Sequence, residues 1–161
     1  MNNTIIAVYE KQKDAITAVE KLKDQGFTQK HISLLGKHDS DDLMQSHAAK
    51  ETAGILGSTV SLGVLAGVLT GVGLLAIPGI GFLYGAGALA GAIAGVDFGV
   101  IGGGVLSAIL LDGEKSRIAD LYEKELLAGK TLLVLKLSAD DAEKGMETIK
   151  SAGNFKDVQM H

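Results

Sequence analysis

The sequence lacks cysteine, and this absence excludes several kinds of chemistry at once. None of the 161 residues is a cysteine, so disulfide bonds, thiolate metal ligands and thiol nucleophiles are all excluded. Tryptophan is also absent, and the aromatic residues are four Phe and three Tyr. With a net charge of -4, the chain has no basic field for a phosphate backbone and few rings to stack on bases. Nucleic acid is therefore not an expected partner.

Charged residues are almost missing from the middle third of the chain. Between Thr52 and Leu111, Asp97 is the only residue apart from Tyr84 whose side chain can ionise, whereas both flanks are rich in Lys, Asp and Glu. The chain therefore divides into polar, apolar and polar thirds. Its first fifteen residues lack the basic start and apolar core of a secretory signal, so we expect the first polar part to stay in the cytoplasm.

The two polar ends repeat one pattern. "TIIAVY" (4–9) predicts a strand, the next segment predicts a helix with Ala15, Ile16, Val19 and Leu22 on one face, and "HISLLG" (31–36) predicts a second strand. The order recurs in "TLLVLKL" (131–137), "SADDAEKGMETIKSAG" (138–153) and "FKDVQM" (155–160). A shift of 127 residues aligns Asp14-Ala15 with Asp141-Ala142 and Gly26 with Gly153. Each end is predicted to be a β-α-β unit.

Two β-α-β units of this length predict an α+β, ferredoxin-like fold, an antiparallel four-stranded sheet with two helices on one face. The second and third of its strands are expected to be antiparallel neighbours, so a long insertion can leave and return at that edge. Gly26 is expected to end the first helix, and Ser138 to be the N-cap of the last one, with Asp140 and Asp141 in its first turn. The predicted divisions are a first half at 1–36, a linker or helix at 37–51, an apolar glycine-zipper helical hairpin at 52–111, an amphipathic helix at 112–130 ended by Gly129, and a second half at 131–161.

The apolar third predicts a pair of helices packed on each other. Residues 53–77 carry no charge and, as a helix, are long enough to cross a hydrocarbon layer of about 30 Å. A turn is predicted at 78–81, and the chain to Leu111 is again apolar except for Asp97. Glycine is unfavourable in an aqueous helix, but in lipid it lets two backbones approach closely. The glycines predicted to pack the helices and to promote oligomerisation are Gly63, Gly67, Gly71, Gly87, Gly91, Gly95, Gly99 and Gly103, and the turn residues are Pro78, Gly79 and Gly81.

Two other interpretations of the apolar third are a glycine-rich flexible linker and a hairpin buried inside a soluble oligomer. The first disagrees with the Leu, Ile and Val that fill the positions between the glycines. The second agrees with the small transfer energy of glycine and with the scarcity of aromatic residues for a membrane interface, where only Phe82, Tyr84 and Phe98 are available.

Asp97 is the residue that helix packing does not explain. A carboxylate at membrane depth normally faces a protein or water-filled interior, and it is a candidate for an ion or proton path. The structural alternative is that Asp97 caps a helix that restarts at Phe98. The second interpretation is favoured.

No other motif predicts catalysis or a cofactor. "GAGALAG" (85–91) has the glycine spacing of a dinucleotide loop, but no β-α-β unit surrounds it, and "GKT" (129–131) lacks the first glycine of a phosphate loop. "KHDSDD" (37–42), with His31 and His47, offers groups that bind divalent metals, but a solvated linker or helix start is the favoured interpretation. We therefore expect no enzyme, no cofactor and no metal site.

The segment "IIAVYEKQKDAITAVEKLKDQGFTQKHISLL" (5–35) resembles the N-terminal domain of bacterial general stress proteins of the 17M type, also described as heat-induced stress proteins. The resemblance depends on the strand, the Asp-Ala pair of the helix, "LKDQGF" and "HISLL". Together with a glycine-zipper hairpin, the chain is also similar to predicted-membrane members of the stress and low-temperature-induced proteins. These resemblances imply a stress-linked role and no known catalytic residues.

The leading hypothesis from the sequence is a non-catalytic, membrane-associated stress protein that self-assembles through its hairpin. Its expected partners are a lipid membrane and further copies of itself, at the cell (inner) membrane with the polar domain in the cytoplasm. One alternative is a small oligomeric pore or transporter that uses Asp97. The other is a soluble, oligomeric, ferredoxin-like sensor of a metal or small ligand.

Overall fold

The computed structural model describes residues 2–38, 72–77, 81–87 and 116–161. Three helices and six strands lie in these ranges. In chain order they are β1 (Asn2–Tyr9), α1 (Gln12–Asp24), β2 (Ile32–His38), β3 (Val72–Ile77), β4 (Gly81–Gly87), α2 (Ser116–Leu127), β5 (Thr131–Ser138), α3 (Ala139–Ala152) and β6 (Phe155–Met160).

Glycines end the first two helices at the predicted positions. Gly26 has φ +91°, and the N–H groups of Gly26 and Phe27 donate to the carbonyls of Lys23 and Leu22. Gly129 has φ +92° and ends α2 with the same pair of bonds, three and five residues back. This is the Schellman arrangement, which needs a residue with positive φ just after the helix. The prediction that Gly26 and Gly129 end their helices is confirmed.

Ser138 is the N-cap of α3, as predicted, and Asp140 and Asp141 lie in the first turn. The cap differs from the expected one in a detail, because the Ser138 side chain makes no bond to the helix backbone. Its hydroxyl donates instead to Oδ2 of Asp141 at 3.0 Å. The carboxylates still lie at the positive end of the helix, where negative charge is favourable.

The six strands form one sheet in the order β3-β4-β2-β5-β1-β6, and all neighbours are antiparallel. The α+β class is therefore confirmed. The four strands of the two polar ends are adjacent, in the order β2-β5-β1-β6, and β2 pairs with β5 as predicted for the second and third strands of the repeated units. Ile5 and Ile32 both lie opposite Leu135, so the two polar ends share the centre of the sheet.

The helices lie on both faces of the sheet. Successive strand side chains point to opposite faces, and one alternate set packs with the apolar faces of α1 and α3. This core includes Ile5, Ala7, Tyr9, Ile32, Leu34, Leu133, Leu135 and Leu137 from the sheet and Ile16, Val19, Leu22 and Ile149 from the helices. The opposite set includes Val8, which lies near Tyr122 of α2. Tyr122 and Leu126 are buried there, whereas the adjacent Leu121 is 62% exposed.

The predicted helical hairpin is wrong for residues 72–77 and 81–87, which are strands. Ile77 pairs with Gly81, so the chain does reverse near the predicted turn, but the arms of the reversal are β3 and β4. Apolar runs of six or seven residues do not distinguish helix from strand by periodicity. The edge of β2 decides the outcome, because it offers unpaired backbone groups that β4 satisfies over six residues. The other residues of the predicted hairpin and the linker at 39–51 lie outside the described residues.

Within the described ranges, no helix combines the length and the apolar character needed to cross a membrane.

Candidate functional site

A groove of about 340 Å³ lies between α2 and the edge of the sheet formed by β1 and β6. Val8 and Tyr122 are its buried apolar surfaces, and Leu121 is its exposed apolar rim. The remaining lining residues are Glu125, Lys156, Asp157 and Gln159. This volume is at the lower end of the range for small-ligand sites, which combine apolar surfaces with a few polar groups.

Tyr122 is held in the groove by a hydrogen bond and by burial. Its hydroxyl lies 2.9 Å from Nε2 of His161, and the two rings meet edge to face with their centroids 5.9 Å apart. Burial, with a further contribution from the charge of Asp157, raises the pKa of Tyr122 to about 12. The phenol is therefore neutral at physiological pH and can act as a hydrogen-bond donor or acceptor.

Three charged side chains form a cluster at one end of the groove. The Glu125 carboxylate accepts hydrogen bonds from Lys130 at 2.6 Å and from Lys156 at 2.8 Å. These bonds hold the pKa of Glu125 below its ordinary value and raise that of Lys130. Lys130 also lies 3.8 Å from Glu10. The cluster ties α2 to the start of β5 and to β6, so its charges are already paired with each other.

Asp157 organises the other side of the groove. Its Oδ1 accepts the backbone N–H of Val158 at 2.9 Å, and its Oδ2 accepts Nε2 of Gln159 at 2.8 Å. The groove can therefore hold an elongated apolar group against Val8 and Tyr122, with paired polar groups at its rim. Within the parts of the chain that the structure describes, no cluster of three or more His, Asp or Glu side chains is arranged to hold a metal ion.

A second polar cluster is buried under α1. The Tyr84 hydroxyl accepts a hydrogen bond from Gln12 at 2.7 Å and is also bonded to Thr131. Burial raises the pKa of Tyr84 to about 12, although these hydrogen bonds oppose the shift. Burial and the charge of Asp14 raise the pKa of Tyr9 as well, and the Tyr9 hydroxyl has no hydrogen-bond partner among the described residues. This cluster fastens β4 to α1 and β5.

Few of the predicted site residues lie in the described chain. Gly87, which was predicted to pack a helix, is instead the last residue of β4, with φ +85°. Gly81, which was predicted as a turn residue, is the first residue of β4 and pairs with Ile77. The remaining predicted positions are outside the described residues: Gly63, Gly67, Gly71, Gly91, Gly95, Gly99, Gly103, Asp97, Pro78 and Gly79. The groove itself was not predicted. Its only signal in the sequence is that Tyr122 lies on the apolar stripe of a predicted helix between charged residues.

The fold and the groove define an α+β protein with an antiparallel sheet and a site beneath one helix. Residues 4–74 match the family model of the heat-induced stress protein YflT domain, over somewhat less than half of the chain. The match includes most of β1, all of α1 and β2, and the start of β3. It supports the resemblance to heat-induced stress proteins and a stress-related role. No curated protein and no solved structure matches the chain.

Proposed function

We propose that this chain is a non-catalytic stress-response protein that associates with a membrane and self-assembles through its central apolar part. The stress-related role follows the family match. The two polar ends are proposed to form a ferredoxin-like domain, in agreement with the strand order β2-β5-β1-β6 and with α1 and α3 on one face. The proposed location is the cytoplasmic side of the cell membrane.

The observation that carries the membrane proposal is where the apolar stretches join the sheet. Val72 is the register partner of Ala86, so the chain enters β3 and leaves β4 at the same end of the sheet. Residues 53–71 precede that point and residues 88–111 follow it, with Asp97 as their only charged side chain. Two apolar stretches that start side by side and carry this single charge are well placed to enter one lipid surface together. Residues 53–71 alone approach the length that crosses a hydrocarbon core as a helix, about 20 residues.

Cell fractionation followed by a carbonate wash at high pH tests the membrane proposal. We expect the native chain to stay in the membrane pellet, and Val64→Lys to release it, because a lysine is costly in the middle of an uncharged stretch. Leu121→Lys is the matched control, since it adds the same charge at an exposed position of α2. Recovery of the native chain in the soluble fraction would contradict the proposal, as would equal behaviour of the two lysine variants.

Sizing of the native chain in mild detergent tests self-assembly. We expect a homo-oligomer of defined mass. A monomer at all concentrations would exclude self-assembly without affecting the membrane proposal. The variant Asp97→Asn is measured by the same sizing and by ion flux in liposomes. The alternative of a pore that uses Asp97 requires that this variant loses flux, whereas a packing role does not.

The groove favours a second function, that of a sensor for a small apolar ligand. Val8 and Tyr122 supply an apolar surface, and Gln159 is a polar group at its rim. A screen of small amphipathic compounds by thermal shift tests this function, with Gln159→Trp as the variant that fills the groove. Stabilisation of the native chain but not of the variant would support it, and no stabilisation by any compound would leave it without support.

A further inference from the structure

The two outer strands of the sheet differ in how their edges are protected. Among the described residues, β3 and β6 are the first and last strands, and no strand lies beyond either of them. An exposed edge offers unpaired N–H and C=O groups to any other strand, and proteins usually block such edges with charges, bulges or proline. Comparison of β3 with β6 therefore shows which of these two strands carries such devices.

The edge at β6 is blocked. Thr4 and His161 exchange two backbone hydrogen bonds at 2.9 and 2.7 Å, so alternate residues before His161 turn their backbone groups away from β1. Val158 is one of these residues, and its outward N–H is bonded to the carboxylate of Asp157. Lys156 and Asp157 add two charges, and the pairing with β1 shifts register between Val8 and Tyr9. These are devices that prevent edge-to-edge pairing.

The edge at β3 has none of these devices. Val72–Ile77, "VGLLAI", contains neither a charged residue nor a proline. Its neighbour β4, "GFLYGAG", is also uncharged, and the two strands pair without a break from Val72–Ala86 to Ile77–Gly81. A regular, uncharged edge strand is the kind that pairs with a further strand.

We propose that the edge of β3 pairs antiparallel with β3 of a second copy of this chain, about a twofold axis. This inference deepens the proposed self-assembly and rests on it. Along an edge strand, every second residue points both its N–H and its C=O away from the sheet. A twofold rotation places the same residues of a second copy opposite them, so that each N–H faces a C=O. Because β6 is blocked, the sheet of the described residues has one edge without such devices, and pairing there ends at a closed dimer instead of continuing as a fibre. The dimer contains a continuous sheet of two copies.

The lack of native cysteine allows a direct test with single cysteines at each position from Val72 to Ile77. The full chain, in the detergent used for sizing, is treated with a mild oxidant and analysed by non-reducing electrophoresis. At the residue on the twofold axis the two Cα atoms are about 4.5–5.5 Å apart. For each residue farther from the axis, the two equivalent Cα atoms are displaced by about 3.3 Å in opposite directions along the strands, so their separation along the strands grows by about 6.6 Å. A disulfide requires less than about 7 Å between Cα atoms, so one position should cross-link far more than the others.

Gln159→Cys is the matched control, because it puts an exposed cysteine on the blocked strand β6. We expect a disulfide-linked dimer as the main species at one position of β3 and only traces from Gln159→Cys. If the cysteine variants form oligomers of the same mass as the native chain but none of the β3 positions cross-links, the β3 interface is overturned and self-assembly remains. The same result is expected if another segment of the same chain covers β3. A monomeric native chain would overturn both. Equal cross-linking at all positions and in the control would indicate random collision and would also overturn the inference.

Discussion

Gly36→Ala is the substitution that tests the placement of β4 most directly. Gly36 lies in β2 opposite Tyr84 of β4, and a Cβ at Gly36 would overlap the Tyr84 hydroxyl and lie 2.5 Å from its Cε1. The Tyr84 ring is fixed by Gln12 and Thr131 and is 2% exposed. It therefore has little room to move. Inserting one carbon into a packed core costs about 1–3 kcal/mol of unfolding free energy.

The same argument gives the expected values for a double-mutant cycle. Tyr84→Ala should cost about 3–5 kcal/mol, the range for loss of a large buried aromatic side chain. In the Tyr84→Ala background the added methyl group at Gly36 meets no ring, so its cost should fall to near zero. The coupling between the two positions should therefore be about 1–3 kcal/mol, as for residues in direct contact.

The assay is urea unfolding of the single and double variants, followed by far-ultraviolet circular dichroism. Gly26→Ala, at a helix end with no atoms near an added Cβ, is the control for glycine replacement away from Tyr84. If Gly36→Ala and Tyr84→Ala were additive within about 0.5 kcal/mol, the ring would not lie over Gly36. The position of β4 beside β2 would then be refuted.

Three further predictions concern a helix end and two titrating groups. Gly26→Ala should cost about 1 kcal/mol, because its φ of +91° is unfavourable for a residue with a side chain. A change below about 0.3 kcal/mol by urea unfolding would contradict the Schellman end, since the left-handed conformation costs an L-residue more than this. The raised pKa of Tyr122 stabilises the folded chain below the ordinary value of 10.0, and this contribution should be lost as the pH rises to about 12. Absorbance titration at 295 nm should show that Asp157→Asn lowers this pKa, because a neighbouring negative charge is removed. An unchanged pKa would contradict the contribution assigned to Asp157. Because the pKa of Glu125 is lowered, this residue stabilises the folded chain at pH values above its ordinary pKa of 4.5, and the contribution is lost as the pH falls. The unfolding free energy of Glu125→Gln should lack this part of the acid dependence. Equal pH profiles of stability for the native chain and the variant would contradict the pairing with Lys130 and Lys156.

The polar ends could be predicted from the sequence because their signals are local. Val19 and Leu22 mark one face of α1, and Gly26 marks its end, since only glycine readily takes the positive φ needed there. The internal repeat predicted the second unit from the first, and β5 and α3 begin at the expected residues. These features depend on periodicity and on single backbone conformations.

The groove and the exposure of Leu121 could not be predicted in the same way. Leu121 and Tyr122 are adjacent on α2 and both fit a broad apolar stripe. Which of them is buried depends on how α2 crosses the sheet, and therefore on contacts with Val8 and with residues of β6 more than thirty positions away. A helical pattern contains no information on that crossing.

The sequence by itself determined the two β-α-β units, the ends of the helices, the apolar middle third with its single charged residue, and the chemistry that the lack of cysteine excludes. Tertiary structure decided that Val72–Ile77 and Gly81–Gly87 are strands. The physical reason is that apolar, glycine-containing runs have weak local preference, so the unpaired backbone groups along β2 select the conformation. It also decided which backbone groups of β6 face outward, because the pairing with β1 directs the N–H of Val158 away from β1, where it is bonded to Asp157.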